Sequence, residues 1–285
     1  MAINPQAAAH CVNDTGRSVA FIRGVHSAIK ALQGRFLDQP LKILYAGCGP
    51  FATLIMATLV RFRDDPLELN FLDIHAGSLE SVQQLITHFG FGSQTIKLIN
   101  ADASSYQHTD APHLIIAETM QKALEQEPQV AVTANLGPQL SCAGVFIPEK
   151  ITVDLGLADL SGETAKVANG GSRIAGPRHW LGTLLELTAG ATLVAASESA
   201  DGKTEGKSLL NLGVFCVPQL ENLAQLELAL FTHICVFSKY KLRDYESEIT
   251  LPLKCHDVKA LGGGDQLRVS YELGPYPRFC VSHVH

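Results

Sequence analysis

The feature that most constrains the fold is an alternation of short apolar runs with amphipathic segments, which begins at Leu41. Four runs have the length of buried strands: "LKILYAG", "LELNFLDI", "TIKLINAD" and "PHLIIAE". Two segments between the first three, "ATLIMATLVRFRDD" and "SLESVQQLITHFGF", have helical spacing. Strands and helices in this order predict a parallel sheet covered by helices. Between the third and fourth strands the helix is reduced to "ASSYQHTD".

The rest of the chain shows two other patterns of apolar and polar residues. Before Leu41, apolar residues recur at helical steps up to about Gln39, namely Phe21, Ile22, Val25, Ile29 and Leu32. After Pro148, runs such as "KITVDLGLADL", "ATLVAASES", "SEITLPLK" and "DQLRVSYEL" alternate apolar and polar residues between turn-rich segments, which predicts an antiparallel barrel or sandwich. We therefore expect a helical segment in residues 1–40, a Rossmann-like α/β domain in 41–148 and a β-barrel-like domain in 149–285.

Composition excludes several classes of protein. The chain has 22 Lys and Arg against 28 Asp and Glu, a net charge of −6, and no long basic block, so we expect no nucleic-acid partner. Its seven cysteines are odd in number, scattered and never in a C-x-x-C arrangement, which argues against a zinc site and favours a reducing compartment. No apolar run approaches the roughly 20 residues of a membrane helix. We expect a soluble, cytoplasmic protein without metal or membrane.

Two glycines and two acidic residues follow the predicted strands. Gly47 and Gly49 come directly after "ILYA", where glycine permits a tight turn and a close backbone approach to a ligand. Asp73 ends the second strand, 26 residues after Gly47 (73 − 47), and Asp102 follows the third. Because open α/β sheets bind ligands at this edge, the pattern predicts a nucleotide site, with Asp73 on the ribose and Asp102 near an adenine amino group. The alternative is an ordinary strand-to-helix turn.

A resemblance to a known family indicates which nucleotide-containing cofactor this site binds. "GCGP" after a strand, with acids after the second and third strands, resembles the motifs of class I methyltransferases, and this implies S-adenosyl-L-methionine as cofactor. The dinucleotide fingerprint is G-x-G-x-x-G, and here Ala52 takes the place of the third glycine. A nicotinamide-dependent oxidoreductase is therefore the weaker reading.

The stretch "LIIAETMQKALEQE" resembles the double-glutamate loop of protein arginine methyltransferases. Glu118, Met120, Leu124 and Glu127 match the spacing of that loop. "AGVFIPEKITV" resembles the junction at which the family's proline, here Pro148, separates the cofactor domain from a β-barrel. The resemblance spans nearly the whole chain, and it implies a cofactor domain in 41–148 and a substrate domain in 149–285.

The family's remaining motifs are matched at two places. "FTHICVFSKY" resembles its Thr-His-Trp loop and retains Thr232 and His233, and Asp14 with Arg17 keeps the D-x-x-R spacing. The resemblance implies that Asp14 pairs with His233 and that Arg17 holds the cofactor carboxylate. The alternative is that His233 has only a structural role at the end of a strand.

The acidic loop has a chemical rationale within this resemblance. A guanidinium is planar and always protonated, so an acceptor of this kind needs charge-assisted hydrogen bonds that turn its nitrogen toward the methyl group. Glu118 and Glu127 are expected to provide them, and the acceptor proton would leave through a glutamate or through the pair of His233 and Asp14. Alternatively, Glu125 and Glu127 face water on the first turn of a helix, where the dipole favours acids.

Some departures concern the glycine turn: the class I methyltransferases that it resembles usually carry an Asp near Tyr45 and a third glycine near Phe51.

Other departures from the family pattern concern the acceptor. Ile234 replaces the tryptophan of the Thr-His-Trp loop, and Gln121 and Lys122 replace Gly-Tyr, so aromatic walls for an arginine side chain are missing. Lys122 either points to solvent, neutralises Glu125 or recognises a substrate carboxylate. Only 84 residues (232 − 148) separate Pro148 from Thr232, too few for the family's barrel segment and dimerisation arm together, so the oligomeric state stays open.

These departures leave two kinds of function. The first is methyl transfer to a guanidino or amino nitrogen, with a small molecule favoured over a protein arginine. The second is a binding or scaffolding protein that has kept the fold and lost catalysis.

Overall fold

The computed structural model describes residues 4–91, 94–168, 175–191, 209–258 and 260–284. Its helices are α1 (Pro5–His10), α2 (Thr15–Gln33), α3 (Thr53–Leu59), α4 (Ala76–Phe89), α5 (Gln129–Leu136) and α6 (Leu160–Ala168). Its first strands are β1 (Leu41–Ala46), β2 (Leu67–Asp73), β3 (Thr95–Asn100), β4 (Leu114–Ala117) and β5 (Val145–Ile147). The later strands are β6 (Lys150–Ala158), β7 (His179–Leu187), β8 (Leu209–Cys216), β9 (Glu227–Phe237), β10 (Tyr240–Leu242), β11 (Leu253–Lys254), β12 (Gln266–Glu272) and β13 (Arg278–His283).

The first five strands form a parallel sheet in the order β3-β2-β1-β4-β5, as the alternating runs predict. Residues of β1 and β4 are almost all buried because the sheet is covered on both faces, which explains their continuous apolar runs. Turns, and no described helix, connect β3 to β4, as expected. The chain order reverses between β1 and β4, and this is the switch point at which such sheets bind ligands.

α2 joins the two halves of the molecule. Asp14 caps it by accepting a hydrogen bond from the backbone N–H of Arg17, and Phe21, Val25 and Ile29 are buried along one face. The helix ends at Gln33, six residues earlier than the sequence pattern indicates. A Cβ on Gly24 would lie 2.6 Å from Cγ1 of Val236 in β9, so only glycine allows this approach. Neither α2, the longest described helix, nor any other described helix has the length and apolarity to cross a membrane.

The second half is antiparallel, as predicted. One sheet has the order β10-β9-β6-β7, with β11 also paired to β9, and the other has the order β13-β12-β8. "SEITLPLK", predicted as a strand, instead forms a 3-10 turn (Glu248–Thr250) and only the two residues of β11, because Ser247 caps the turn. The predicted strand "ATLVAASES" lies almost wholly outside the described residues. β13 has no counterpart among the sequence predictions.

Candidate active site

A cavity of about 710 Å³ opens at the carboxyl ends of β1, β2 and β4. Its volume lies within the range of about 300–1,000 Å³ that is usual for small-molecule sites. Seven of the nine residues selected from the sequence line it: Arg17, Gly47, Gly49, Asp73, Asp102, Glu118 and Glu127. The other two, Asp14 and His233, do not. The sheet edge therefore brings together the glycine turn, both aspartates and both glutamates, although these residues are spread over 110 positions (127 − 17).

The glycine turn follows β1 in a conformation that favours glycine. Gly47 and Gly49 have φ angles of +66° and +62°. A Cβ on Gly47 would lie 2.4 Å from Cγ2 of Thr119, whereas a Cβ on Gly49 would meet only the methyl group of Ala8, at 3.7 Å. The backbone N–H of Gly49 donates to Oδ2 of Asp73 at 2.9 Å, and this bond holds the turn against the end of β2.

The two aspartates differ in exposure and in their remaining hydrogen-bonding capacity. Asp73 is buried, and its Oδ1 accepts from the backbone N–H of His75 at 2.8 Å. Asp102 is exposed; its Oδ1 accepts from the backbone and the hydroxyl of Ser104 at 2.8 and 2.7 Å. Oδ2 of Asp102 has no partner among the described residues. Since a carboxylate oxygen has two lone pairs, both aspartates can accept further hydrogen bonds from a ligand in the cavity.

Glu118 follows β4 directly and is only 5% exposed. The guanidinium of Arg17 donates to its Oε2 and forms an ion pair with it. Its other oxygen, Oε1, is buried and has no hydrogen-bond partner in the part of the chain that the structure describes. A buried carboxylate oxygen without a donor is energetically costly, so Oε1 is set up to accept from a ligand in the cavity.

Glu127 is 8% exposed, so the alternative in which it faces water is wrong. Burial raises the pKa of its carboxyl group, against the opposing effects of a hydrogen bond from Gln121 and of the Arg17 charge. A cation bound beside Glu127 would therefore favour its ionised form.

The acidic loop between the two glutamates is held by the second half of the molecule. The backbone N–H of Ala123 donates to Oγ1 of Thr232 at 2.9 Å, and the hydroxyl of Tyr271 donates to the carbonyl of Leu124 at 2.5 Å. Ala123 and Leu124, whose backbone groups form these two hydrogen bonds, both have positive φ angles. The β-rich half thus fixes a backbone conformation that would be unfavourable alone.

The expected pairing of Asp14 with His233 is wrong. Asp14 instead accepts hydrogen bonds from the hydroxyl of Ser247 at 2.6 Å and from the backbone N–H of Glu248 at 2.8 Å. Thr232 and His233 point to opposite faces of β9, because side chains alternate along a strand. Thr232 faces the acidic loop, so His233 necessarily faces away from it.

His233 lies between two carboxylates of the β-rich half. Its Nδ1 is 3.2 Å from Oδ2 of Asp154, with which it forms a hydrogen bond, and its Nε2 is 3.2 Å from Oδ1 of Asp244. The second contact has poor hydrogen-bond geometry and acts through charge. Asp154 and then Asp244 raise the pKa of His233 to about 9, above its ordinary 6.5.

The raised pKa of His233 predicts a pH-dependent stability. The folded state binds the imidazole proton more tightly than the unfolded chain, so the stabilisation is complete below pH 6.5 and is lost as the pH rises through about 9. We expect the Tm difference between the wild type and His233→Gln to shrink over this range. Thermal unfolding of both proteins at several pH values measures it, and a difference that does not vary with pH would contradict the charged pairing.

The residues that depart from the family pattern in the acidic loop and in β9 lie outside the cavity lining, whereas Tyr45 and Phe51 line it. Ile234 is 1% exposed and belongs to the core, and Gln121 and Lys122 are half-buried in the acidic loop. Burial raises the pKa of Glu125; the backbone hydrogen bond from Phe279 opposes this, and the charge of Lys122 is the smallest of the opposing effects. The option in which Lys122 recognises a substrate carboxylate thus has no support from its position.

The sequence reasoning missed one wall of the cavity. The turn between β12 and β13 contributes Leu273, Gly274, Pro275 and Pro277 to the lining, and the backbone N–H of Gln126 donates to the carbonyl of Pro277 at 2.8 Å. "LGPYP" signals a turn through its glycine and prolines. No local pattern indicates that this turn lies against the acidic loop, about 150 residues away (277 − 126).

Taken together, the architecture is a Rossmann-like α/β domain followed by an antiparallel β half. More particularly, the chain is similar to the crystal structure of Arabidopsis thaliana protein arginine methyltransferase 10, with a TM-score of 0.56 and 13% sequence identity over 92% of this chain and 85% of that one. The Trypanosoma brucei PRMT1 enzyme-prozyme complex with AdoHcy matches with a TM-score of 0.48 and 12% identity over 92% and 86% of the two chains.

The similarity to the Arabidopsis enzyme confirms the predicted fold class and the resemblance at the level of the fold. No protein-family model matches the sequence, and no curated protein matches it significantly. The activity must therefore be argued from the residues of the site.

Proposed function

We propose that the protein is an S-adenosyl-L-methionine-dependent methyltransferase that transfers a methyl group to a guanidino or amino nitrogen of a cationic acceptor. The observation that carries this proposal is the buried, unpartnered Oε1 of Glu118, which lines the same cavity as Glu127 and the glycine turn. A carboxylate oxygen in this state requires a donor from a ligand. A cationic N–H group satisfies it best, since charge-assisted hydrogen bonds are the stronger kind.

The residues of the cavity fit the cofactor. The turn at Gly47 and Gly49 leaves room for a ligand close to the backbone, Asp73 has lone pairs for ribose hydroxyls, and the free Oδ2 of Asp102 suits an amino group. Arg17 uses part of its five-donor fork on Glu118, and the rest remains for a carboxylate. When bound, S-adenosylmethionine supplies a methyl group on a sulfonium centre, which is already a good leaving group.

The chain itself orients the acceptor. Glu118 and Glu127 approach the cavity from the two ends of one loop, so they can hold two N–H groups of a planar cation and turn its third nitrogen toward the methyl donor. Arg17 fixes Oε2 of Glu118 and leaves Oε1 for the acceptor. We assign loss of the acceptor proton to a glutamate, because His233 and Asp14 neither pair nor line the cavity.

A small guanidino or amino compound is our favoured acceptor, and a protein arginine is the other. The absence of aromatic side chains at Gln121, Lys122 and Ile234 supports this order, because a long arginine side chain would lack the surfaces on which it stacks. The second candidate function is a catalytically inactive binding or scaffolding protein, which the departures at Tyr45, Phe51 and Ile234 favour.

An isotope experiment tests the function. The purified protein is incubated with methyl-labelled S-adenosylmethionine and, in separate reactions, with free arginine, a mixture of small guanidino and amino compounds, and arginine-containing peptides. Mass spectrometry then locates the label. Label in small compounds supports the favoured version and label only in peptides rejects it. Calorimetry with S-adenosylhomocysteine separates the inactive scaffold, which binds without turnover, from a chain that does not bind at all.

Gly47→Ala is expected to weaken cofactor binding at least tenfold. Its Cβ would collide with Thr119 at the cavity wall, and the positive φ adds strain of about 1 kcal/mol. Gly90→Ala is a matched control, because Gly90 has a φ of +61° and open space around its Cβ. Both variants carry the strain of the positive φ, and Gly47→Ala should lose more stability because of the collision with Thr119. Only Gly47→Ala should lose affinity for S-adenosylhomocysteine in calorimetry. Equal affinities in the two variants would contradict the role of the glycine turn.

A further inference from the structure

A second, smaller hollow of about 210 Å³ lies further along α2 and α3, beyond the turns that line the large cavity. From α2 it is lined by Ile22, Arg23 and His26, from α3 and the following 3-10 turn (Val60–Phe62) by Ala57, Thr58 and Arg61, and from β10 by Tyr240. It shares no lining residue with the large cavity. The hollow is therefore separate from the proposed methyltransferase site, and its ligand is a separate question.

Several polar groups around the hollow have no hydrogen-bond partner among the described residues, whereas the hydroxyl of Thr58 donates to the carbonyl of Ile22 at 3.4 Å. Arg23 and Arg61 are exposed, and neither forms an ion pair or hydrogen bond within the described ranges of the chain. The hydroxyl of Tyr240 likewise has no partner there. His26 packs against Phe62 with 5.0 Å between ring centroids, and this contact orients its imidazole. Three elements thus present two guanidinium groups, an imidazole and a phenol to one small space.

The electrostatic surroundings of His26 are positive. Burial lowers the pKa of His26, and the charges of Lys30 and Arg61 lower it further, with no carboxylate acting against them. This local positive charge contrasts with the net charge of the whole chain, which is −6. Cations gathered from two helices without a counterion repel one another, and a bound anion would remove this cost.

We propose that this hollow binds a phosphate group, either as inorganic phosphate or as the phosphate monoester of a small molecule. Guanidinium forks match tetrahedral phosphate oxygens by paired hydrogen bonds, and the tyrosine hydroxyl adds a neutral donor. The volume holds a phosphate with a small attached group. The chain has no extended basic stripe that would follow a nucleic-acid backbone, so a small ligand is the occupant that fits.

Binding would connect the two helices, because Arg23 comes from α2 and Arg61 follows α3. Both helices begin at the large cavity, where Arg17 and Thr53 lie in their first turns. Occupation of the hollow therefore stabilises the helix pair that borders the cofactor region. The proposal does not depend on the methyltransferase activity, because binding and stability are its readouts.

NMR titration of the full chain with inorganic phosphate and with phosphoethanolamine, at constant ionic strength, tests the proposal. We expect saturable binding and a higher pKa of His26 in the phosphate-bound protein. Arg61→Gln is expected to weaken binding at least tenfold, because it removes one charge-assisted fork. Lys30→Gln, which removes the same charge from a residue of α2 outside the hollow, should weaken it less than about twofold.

Several outcomes would overturn the proposal. These are the absence of saturable binding, an equal loss in Lys30→Gln and Arg61→Gln, or the same response to acetate as to phosphate. If inorganic phosphate saturates the site and phosphoethanolamine does not bind, the free ion is the ligand, and the reverse order of affinity identifies a monoester. Glutamine is a good helix former, and unchanged thermal unfolding of each variant without phosphate verifies its fold. Arg23→Gln provides an independent second variant.

Discussion

Glu118→Gln is expected to lower kcat/KM for methyl transfer by about 10²–10³-fold, the usual effect of removing one group that stabilises charge in a transition state. The amide cannot supply the negative charge that Oε1 offers to a cationic acceptor, and it also weakens the ion pair with Arg17. Formation of S-adenosylhomocysteine with the acceptor found by the isotope experiment measures the rate. Calorimetry with S-adenosylhomocysteine shows how much of the loss lies in cofactor binding.

Glu125→Gln is the matched control for this variant. Glu125 belongs to the same loop, but it does not line the cavity, and its Oε1 accepts from the backbone N–H of Phe279 at 3.2 Å. We expect its kcat/KM to stay near that of the wild type. Glu127→Gln should resemble Glu118→Gln, because Glu127 lines the same cavity. If Glu118→Gln and Glu125→Gln had the same rate, the acidic loop would not hold the acceptor.

The sequence predicts the parallel sheet well because the signal there is local. Each buried strand is a continuous apolar run, and the glycines at 47 and 49 mark the turn that follows the first strand. Asp73, Asp102 and Glu118 come together because parallel strands end at one edge, so topology alone places them. In the second half the signal is weaker: Ser247 caps a 3-10 turn where alternation indicates a strand.

The errors at the candidate site have one physical cause. Thr232 and His233 in "FTHICVF" match the family's loop by residue type, yet they lie inside β9, where alternation sends their side chains to opposite faces. Asp14 instead contacts Ser247 and Glu248. This segment contains no histidine and does not match the family's Thr-His-Trp motif. Contacts between distant segments, like that of Gln126 with Pro277, depend on how the two halves dock, and no local pattern records this.

A charged cluster centred on Arg178 lies behind β9. Arg178 has a side chain only 6% exposed, and it donates through both terminal nitrogens to the carboxylate of Glu163 and through Nε to Oδ2 of Asp244 at 3.1 Å. The hydroxyl of Tyr245 also donates to Glu163. The guanidinium lies 4.8 Å from the ring centre of Phe231. Arg178 thus holds together α6, the start of β7 and the segment after β10.

Arg178→Met is expected to reduce the free energy of unfolding by about 3–5 kcal/mol, because it leaves the buried carboxylate of Glu163 without its counterion and leaves Asp244 with His233 alone. Lys150→Met is the matched control: it removes the same charge from a solvent-exposed ion pair with Glu186, and such pairs contribute little to stability because water screens them. Urea unfolding of both variants measures the difference. Since Arg178 lies outside the cavity, the remaining folded protein should bind S-adenosylhomocysteine with unchanged affinity. Equal unfolding free energies for the two variants would show that the cluster is solvated and contributes no more than a surface pair.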